Sequence, residues 1–86
     1  MTSPITSYVA NESFNLGEKI ARQRHRRRVT QEQLARAMKV ARVKIAWIET
    51  GRIKQVDFDL LQRMCTYLKI SAEDLLGVKL NIRNLK

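Results

Sequence analysis

The residues with the greatest chemical reach in this sequence are its lysines and arginines, and they are unevenly spread. Between Lys19 and Lys54 stand twelve basic residues and two acidic ones, Glu32 and Glu49, while the rest of the chain holds five basic and six acidic residues. The formal charge of +9 therefore belongs to one part of the molecule, as expected of a face that binds a polyanion. The bland alternative is a solvated basic surface that aids solubility. Other chemistry is thinly supplied. One histidine (His25), one cysteine (Cys65) and no glycine-rich phosphate loop argue against an enzyme and against any bound cofactor or metal. Asp57, Asp59, Glu73 and Asp74 fall where helices are expected to start, and acids belong there for capping and dipole reasons.

Length and composition bound the rest. Eighty-six residues make one domain at most, with a modest core. Three glycines and one proline favour helices over a turn-rich β fold, so an all-α domain is expected. The lone Cys65 permits no intrachain disulfide and no cysteine-based zinc site, and it reads as a small buried hydrophobe. No apolar run approaches the roughly 20 residues that span a bilayer, and no basic segment leads an apolar core at the N-terminus. A cytoplasmic, nucleoid-associated location follows as an expectation.

Five helices are marked by their boundaries. Residues 1–13 read as a flexible arm with a short strand around Ile5–Val9, residues 14–77 as the domain, and 78–86 as a tail. The first helix is expected from Leu16 to Arg28, with Asn15 as N-cap and Glu18 close to a capping box. Thr30 and Gln33 form a capping box for the next helix, and Val29 with Leu34 a hydrophobic staple around it. The same staple recurs as Val40 with Ile45 about Ala41, Val56 with Leu61 about Asp57, and Ile70 with Leu75 about Ser71. Helix starts near 31, 42, 58 and 72 follow, and Gly51 and Gly77 sit where helix ends need a left-handed residue. The expected core is Leu16, Ile20, Leu34, Ala35, Met38, Val40, Ile45, Ile48, Leu61, Met64, Cys65, Leu68, Leu75 and Leu76, closed by Phe58. Residues 78–83 alternate with period two, either a short strand needing a partner or a frayed tail.

Two helices that start eleven residues apart, joined by Lys39-Val40-Ala41, must cross sharply. That is helix-turn-helix geometry, whose second helix can enter a major groove about 12 Å wide. Thr30-Gln31-Glu32-Gln33-Leu34-Ala35 and Val40-Ala41-Arg42-Val43-Lys44-Ile45-Ala46-Trp47-Ile48-Glu49-Thr50-Gly51 resemble the phage-repressor-like (Cro/Xre-type) family. Val56-Asp57-Phe58-Asp59 followed by Leu61, and Ile70-Ser71 followed by Glu73-Asp74-Leu75-Leu76, resemble its fourth and fifth helix starts. The resemblance covers Leu16 to Gly77 and implies a compact five-helix, lambda-repressor-like domain that binds double-stranded DNA operators as a homodimer. Two positions depart from the family pattern: Lys39 replaces the usual turn glycine, and Ala41 replaces a Ser or Thr cap. Each is expected to cost on the order of 1 kcal/mol.

By that resemblance, the start of the third helix and the residue one turn on meet base edges. Arg42 can bond bidentately to guanine O6 and N7, or clamp a phosphate instead. Val43, Ala46 and Trp47 are its companions: Val43 suits a thymine methyl, while Trp47 faces either the groove or the core edge. Gln31, Lys39, Lys44, Thr50, Arg52 and Lys54 are expected on the DNA backbone, which sets register and affinity without reading sequence. His25 reads as a surface residue. Two other functions stay open. One is an antitoxin or similar protein-interaction module that also represses its own operon, with a toxin as partner. The more distant one is membrane-surface or RNA binding by Arg22–Arg28.

Overall fold

The computed structural model describes residues 8–77. In chain order these form β1 (Tyr8–Ala10), α1 (Asn11–Phe14), α2 (Leu16–Arg26), α3 (Gln31–Met38), α4 (Arg42–Glu49), β2 (Gln55–Asp57), α5 (Phe58–Leu68) and α6 (Ala72–Leu76). The fold is a mostly helical, lambda-repressor-like domain, as expected, with one small sheet added.

Three helix junctions share one device. Arg28, Lys39 and Lys69 each take a left-handed conformation, with φ of 57°, 61° and 60°. The next residue, Val29, Val40 or Ile70, donates its N–H back to the carbonyl of Arg24, Ala35 or Cys65, at 3.0 Å each. This closes a Schellman turn, in which a hydrophobic residue just past the left-handed one folds onto the helix it ends. That same residue packs against the core ahead of the next helix, so it serves as staple there too. Thr30 then accepts from Gln33 N–H in a full capping box, and Ser71 accepts from Asp74 N–H. Asp57 caps α5 by accepting from Leu60 N–H. Ala41 alone among these has no side chain to offer, and α4 starts without a side-chain cap. All four expected helix starts hold to the residue.

The N-terminal boundary differs from the sequence reading. Asn15 is left-handed (φ 49°, ψ 43°) and makes no capping bond with its side chain, because it links two helical segments and does not open one. The work falls to the buried Asn11. Its Oδ1 accepts from Gly17 N–H at 2.8 Å, and its Nδ2 donates to the carbonyls of Ile48 and Ile53 at 3.1 and 2.7 Å. Residues 8–13, expected within a flexible arm, thus form a strand and a short sixth helix. Within the described residues the strand covers Tyr8–Ala10, one residue past the expected end at Val9, and pairs antiparallel with β2 in the register Tyr8↔Asp57, Val9↔Val56 and Ala10↔Gln55. The first long helix stops at Arg26, two residues early, because Arg28 turns left-handed. The segment 78–83, read as a strand or a frayed tail, lies outside the described residues.

Core membership follows the sequence reading closely, with additions. Val56, Leu60 and Ala72 are buried as well, while Val40 and Phe58 are only partly so. Val56 enters because β2 turns it inward against the core. Cys65 is buried, and loss of hydration pushes its thiol up to about 11, which keeps it protonated and inert at neutral pH.

One contact fixes how α2 lies on α4. A Cβ at Gly17 would run into the Ile48 carbonyl oxygen and lie 2.8 Å from that of Glu49. Only hydrogen fits there. Gly17→Ala should therefore lose about 3 kcal/mol of unfolding free energy in urea titration; a loss under about 1 kcal/mol would contradict this packing. Ala41→Ser should instead gain roughly 1 kcal/mol by supplying the missing cap of α4, and no gain would mean that Ala41 is already satisfied in another way.

Candidate nucleic-acid interface

Helices α3 and α4 make the helix-turn-helix. Leu34, Ala35, Met38, Ile45 and Ile48 are all buried in the one core cluster, and the left-handed Lys39 makes the turn that the sharp crossing needs. Ile45 and Ile48 point inward. At about 100° per residue, the opposite side of α4 carries Val43, Trp47 and Thr50, with Arg42 and Ala46 on the flank towards α3 and Lys44 on the other. Exposure agrees. Val43 and Trp47 are each 41% exposed, Arg42, Lys44 and Thr50 are exposed, and Ala46 is half-buried.

Arg42 does not hang free. Its Nη1 donates to Gln31 Oε1 at 2.9 Å, tying the start of α4 to the start of α3. The amide of Gln31 is used at both ends, since Nε2 donates to Glu49 Oε1 at 3.0 Å. Glu49 in turn takes Arg24 in a two-pronged pair, Nε to Oε2 at 2.7 Å and Nη2 to Oε1 at 3.0 Å. Arg24 also donates through Nη1 to the Val29 carbonyl at 2.8 Å, and through Nη2 to His25 Nε2 at 3.0 Å. A guanidinium can only donate, so the His25 nitrogen is the acceptor in this contact. The side chains of Arg24 and Glu49 are 9% and 6% exposed. A chain of hydrogen bonds thus runs from a buried ion pair, through Gln31, to the exposed guanidinium of Arg42.

Sequence reasoning missed Arg24 and Glu49 as site residues. The sequence sets Arg24 within the basic segment Arg22–Arg28, and the structure buries it beside α4. A signal was present: Glu49 is one of only two acids between Lys19 and Lys54, and it sits on the half-buried flank of α4.

The remaining candidates divide. Arg52 lies over the Trp47 ring, 5.4 Å from its centroid, a cation–π contact that steadies an exposed indole. Lys39 and Lys44 stand exposed at either end of the turn and start of α4. Thr50 returns its hydroxyl to the Ala46 carbonyl at 2.9 Å, and Lys54 reaches Glu12 at 3.0 Å, so neither is free in this conformation. Lys54 is thereby drawn towards α1. Among the described residues, no group of three or more His, Cys, Asp or Glu side chains is placed to hold a metal ion, and no helix is long and apolar enough to cross a membrane.

The buried pair can be tested by a double-substitution cycle in urea unfolding. Arg24→Met alone should cost about 3–5 kcal/mol, because it strands the Glu49 carboxylate away from water. Adding Glu49→Leu should recover part of that loss, leaving a coupling of at least about 1 kcal/mol, and strictly additive losses would contradict the pairing.

Residues 15–76 match the family model described as a helix-turn-helix domain. Among solved structures, the chain is similar to the clp gene regulator ClgR from Corynebacterium glutamicum, at 31% identity and a TM-score of 0.71, over 74% of this chain and 67% of that one. A transcriptional regulator from Listeria innocua shares the fold at 24% identity and a TM-score of 0.66, over 77% and 61% of the two chains. So does a chain of the SinR protein/SinI protein complex, at 20% identity and a TM-score of 0.66, over 81% and 73%. No curated protein sequence gives a significant match. The matched span takes in α2 to α6 with the α3–α4 turn at its centre, and the chain belongs to the helix-turn-helix domain family, in the phage-repressor-like (Cro/Xre-type) form that its motifs resemble.

Proposed function

We propose that this protein is a sequence-specific, double-stranded DNA-binding transcriptional regulator that represses by occupying an inverted-repeat operator as a homodimer. The observation that carries the reading is Arg42. It is exposed on the flank of α4 towards α3 and tied through Gln31 to a buried ion pair. A guanidinium held in place gives up little freedom on meeting guanine O6 and N7, which suits it to read a base. Val43 and Trp47 on the outward side, with Ala46 beside Arg42 on the flank towards α3, supply apolar contacts. Lys39, Lys44 and Arg52 surround them with charge for phosphates, and Gln31 lies where α3 begins. Thr50 and Lys54 join the backbone set by exchanging their present partners for phosphate.

The likeness to a clp gene regulator supports a role in transcription. Two copies would place their α4 helices in successive major grooves about 34 Å apart, which is why the operator should be an approximate inverted repeat. Such a role puts the protein on the nucleoid, in the cytoplasm.

Selection from randomised duplex DNA at fixed salt tests this directly. Wild-type protein should enrich an inverted repeat. Arg42→Ala should lose preference at one base pair per half-site, a discrimination of about 1–3 kcal/mol. Lys44→Ala should instead weaken binding evenly across sequences and lower the salt slope by about 1. Enrichment of no motif by the wild type would contradict operator binding.

A further inference from the structure

The basic run on α2 splits between two sides of the helix. Arg24 turns towards α4, as its bonds to Glu49 require, and Gly17 lies on that same side against the Ile48 carbonyl. Residues two before and two after Arg24 are about 200° round the helix from it, so Arg22 and Arg26 point the other way. Lys19 shares their stripe, at the i, i+3 and i+7 spacing of one helix face. Arg27 extends the stripe by donating to the Lys69 carbonyl at 3.2 Å, which draws the α5–α6 junction alongside. Arg22, Arg26, Arg27 and Lys69 are exposed and Lys19 is half-buried. The ion pairs among the described residues join Arg24 to Glu49, Arg36 to Glu32, Lys54 to Glu12 and Arg63 to Asp59, and none uses this stripe. Glu18 is the sole acid on α2.

We propose that this stripe is a second, sequence-independent DNA-binding surface, which lets a protein seated on one duplex through α4 hold a second duplex on its far side. Helix α4 presents Val43 and Trp47 outward, away from the core. Helix α2 meets the last turn of α4 through Gly17 and Arg24, and Arg22 and Arg26 lie on the side of α2 turned away from that contact. The surface is also made of charge alone. Among the described residues, the exposed large hydrophobic ones are Tyr8, Val43, Trp47 and Tyr67, none of them on α2. A protein partner would want an apolar centre to dock on, whereas a phosphate backbone asks only for long cationic side chains.

This inference rests on the operator reading, and the test separates the two. Operator duplex held on beads is loaded with wild-type protein or with the Arg22→Gln, Arg26→Gln, Arg27→Gln triple variant. A labelled duplex lacking the operator is then added at low salt, with poly-glutamate as a parallel probe. Wild type should capture the labelled duplex, and the triple variant should load equally but capture at least about tenfold less. Loading without capture, equal capture by both proteins, or loss of loading in the variant would each overturn the second surface and leave the operator reading standing. Preferential capture of poly-glutamate would overturn it in favour of an acidic protein partner. Failure of wild type to load would remove both readings together.

Discussion

Arg24 and Glu49 meet where three segments converge: the end of α2, the end of α4 and the turn into α3. Both charges are almost wholly screened from water, so each must be met by the other and by further hydrogen bonds. The Val29 carbonyl and His25 complete the guanidinium, and Gln31 completes the carboxylate. Hydrophobic packing would tolerate small rotations of α2 against α4. A bidentate pair with directional partners does not, and this gives the crossing of the two helices a preferred angle. The close approach at Gly17 and the bonds from Asn11 to the Ile48 and Ile53 carbonyls fall at this same end of α4, so three separate contacts hold its last turn.

Function grows from that rigidity. A base-reading side chain on a loosely held helix would spend much of its binding energy on being ordered. Arg42 sits at the outer end of a hydrogen-bond chain rooted in the interior, so its position is set before DNA arrives. The same chain links the start of α3, where we propose the DNA backbone lies, to the start of α4, where we propose base edges are read. In that proposal, contacts that set register and contacts that read sequence are coupled through one amide, that of Gln31.

Much of the fold was legible because it is written in local chemistry. Thr30, Asp57 and Ser71 announce helix starts, and the β-branched residues before them announce the staples. What escaped depends on distance along the chain. Nothing local to Asn11 says that it will bond to carbonyls some forty residues on, and nothing local to residues 8–10 says that Val9 will pair with Val56. Asn15 looked like a cap because Asn caps helices, yet a preceding helical turn made it a linker. The site shows the same division. Arg42, Val43, Trp47 and Gln31 could be placed from helix periodicity and family resemblance. The role of Arg24 could not, because one more arginine in a basic run carries no mark of being the buried one.

The central claim is that Arg42 is delivered to a base by the chain leading back to Glu49 and Arg24. The most direct measurement is a crystal structure of the protein with its selected operator duplex. The expected result has α4 in the major groove and Arg42 bonded to guanine O6 and N7. Gln31 should still bridge Arg42 and Glu49, and Arg24 should still be paired. Arg42 turned to a phosphate with Gln31 released, or α4 lying outside the groove, would contradict it.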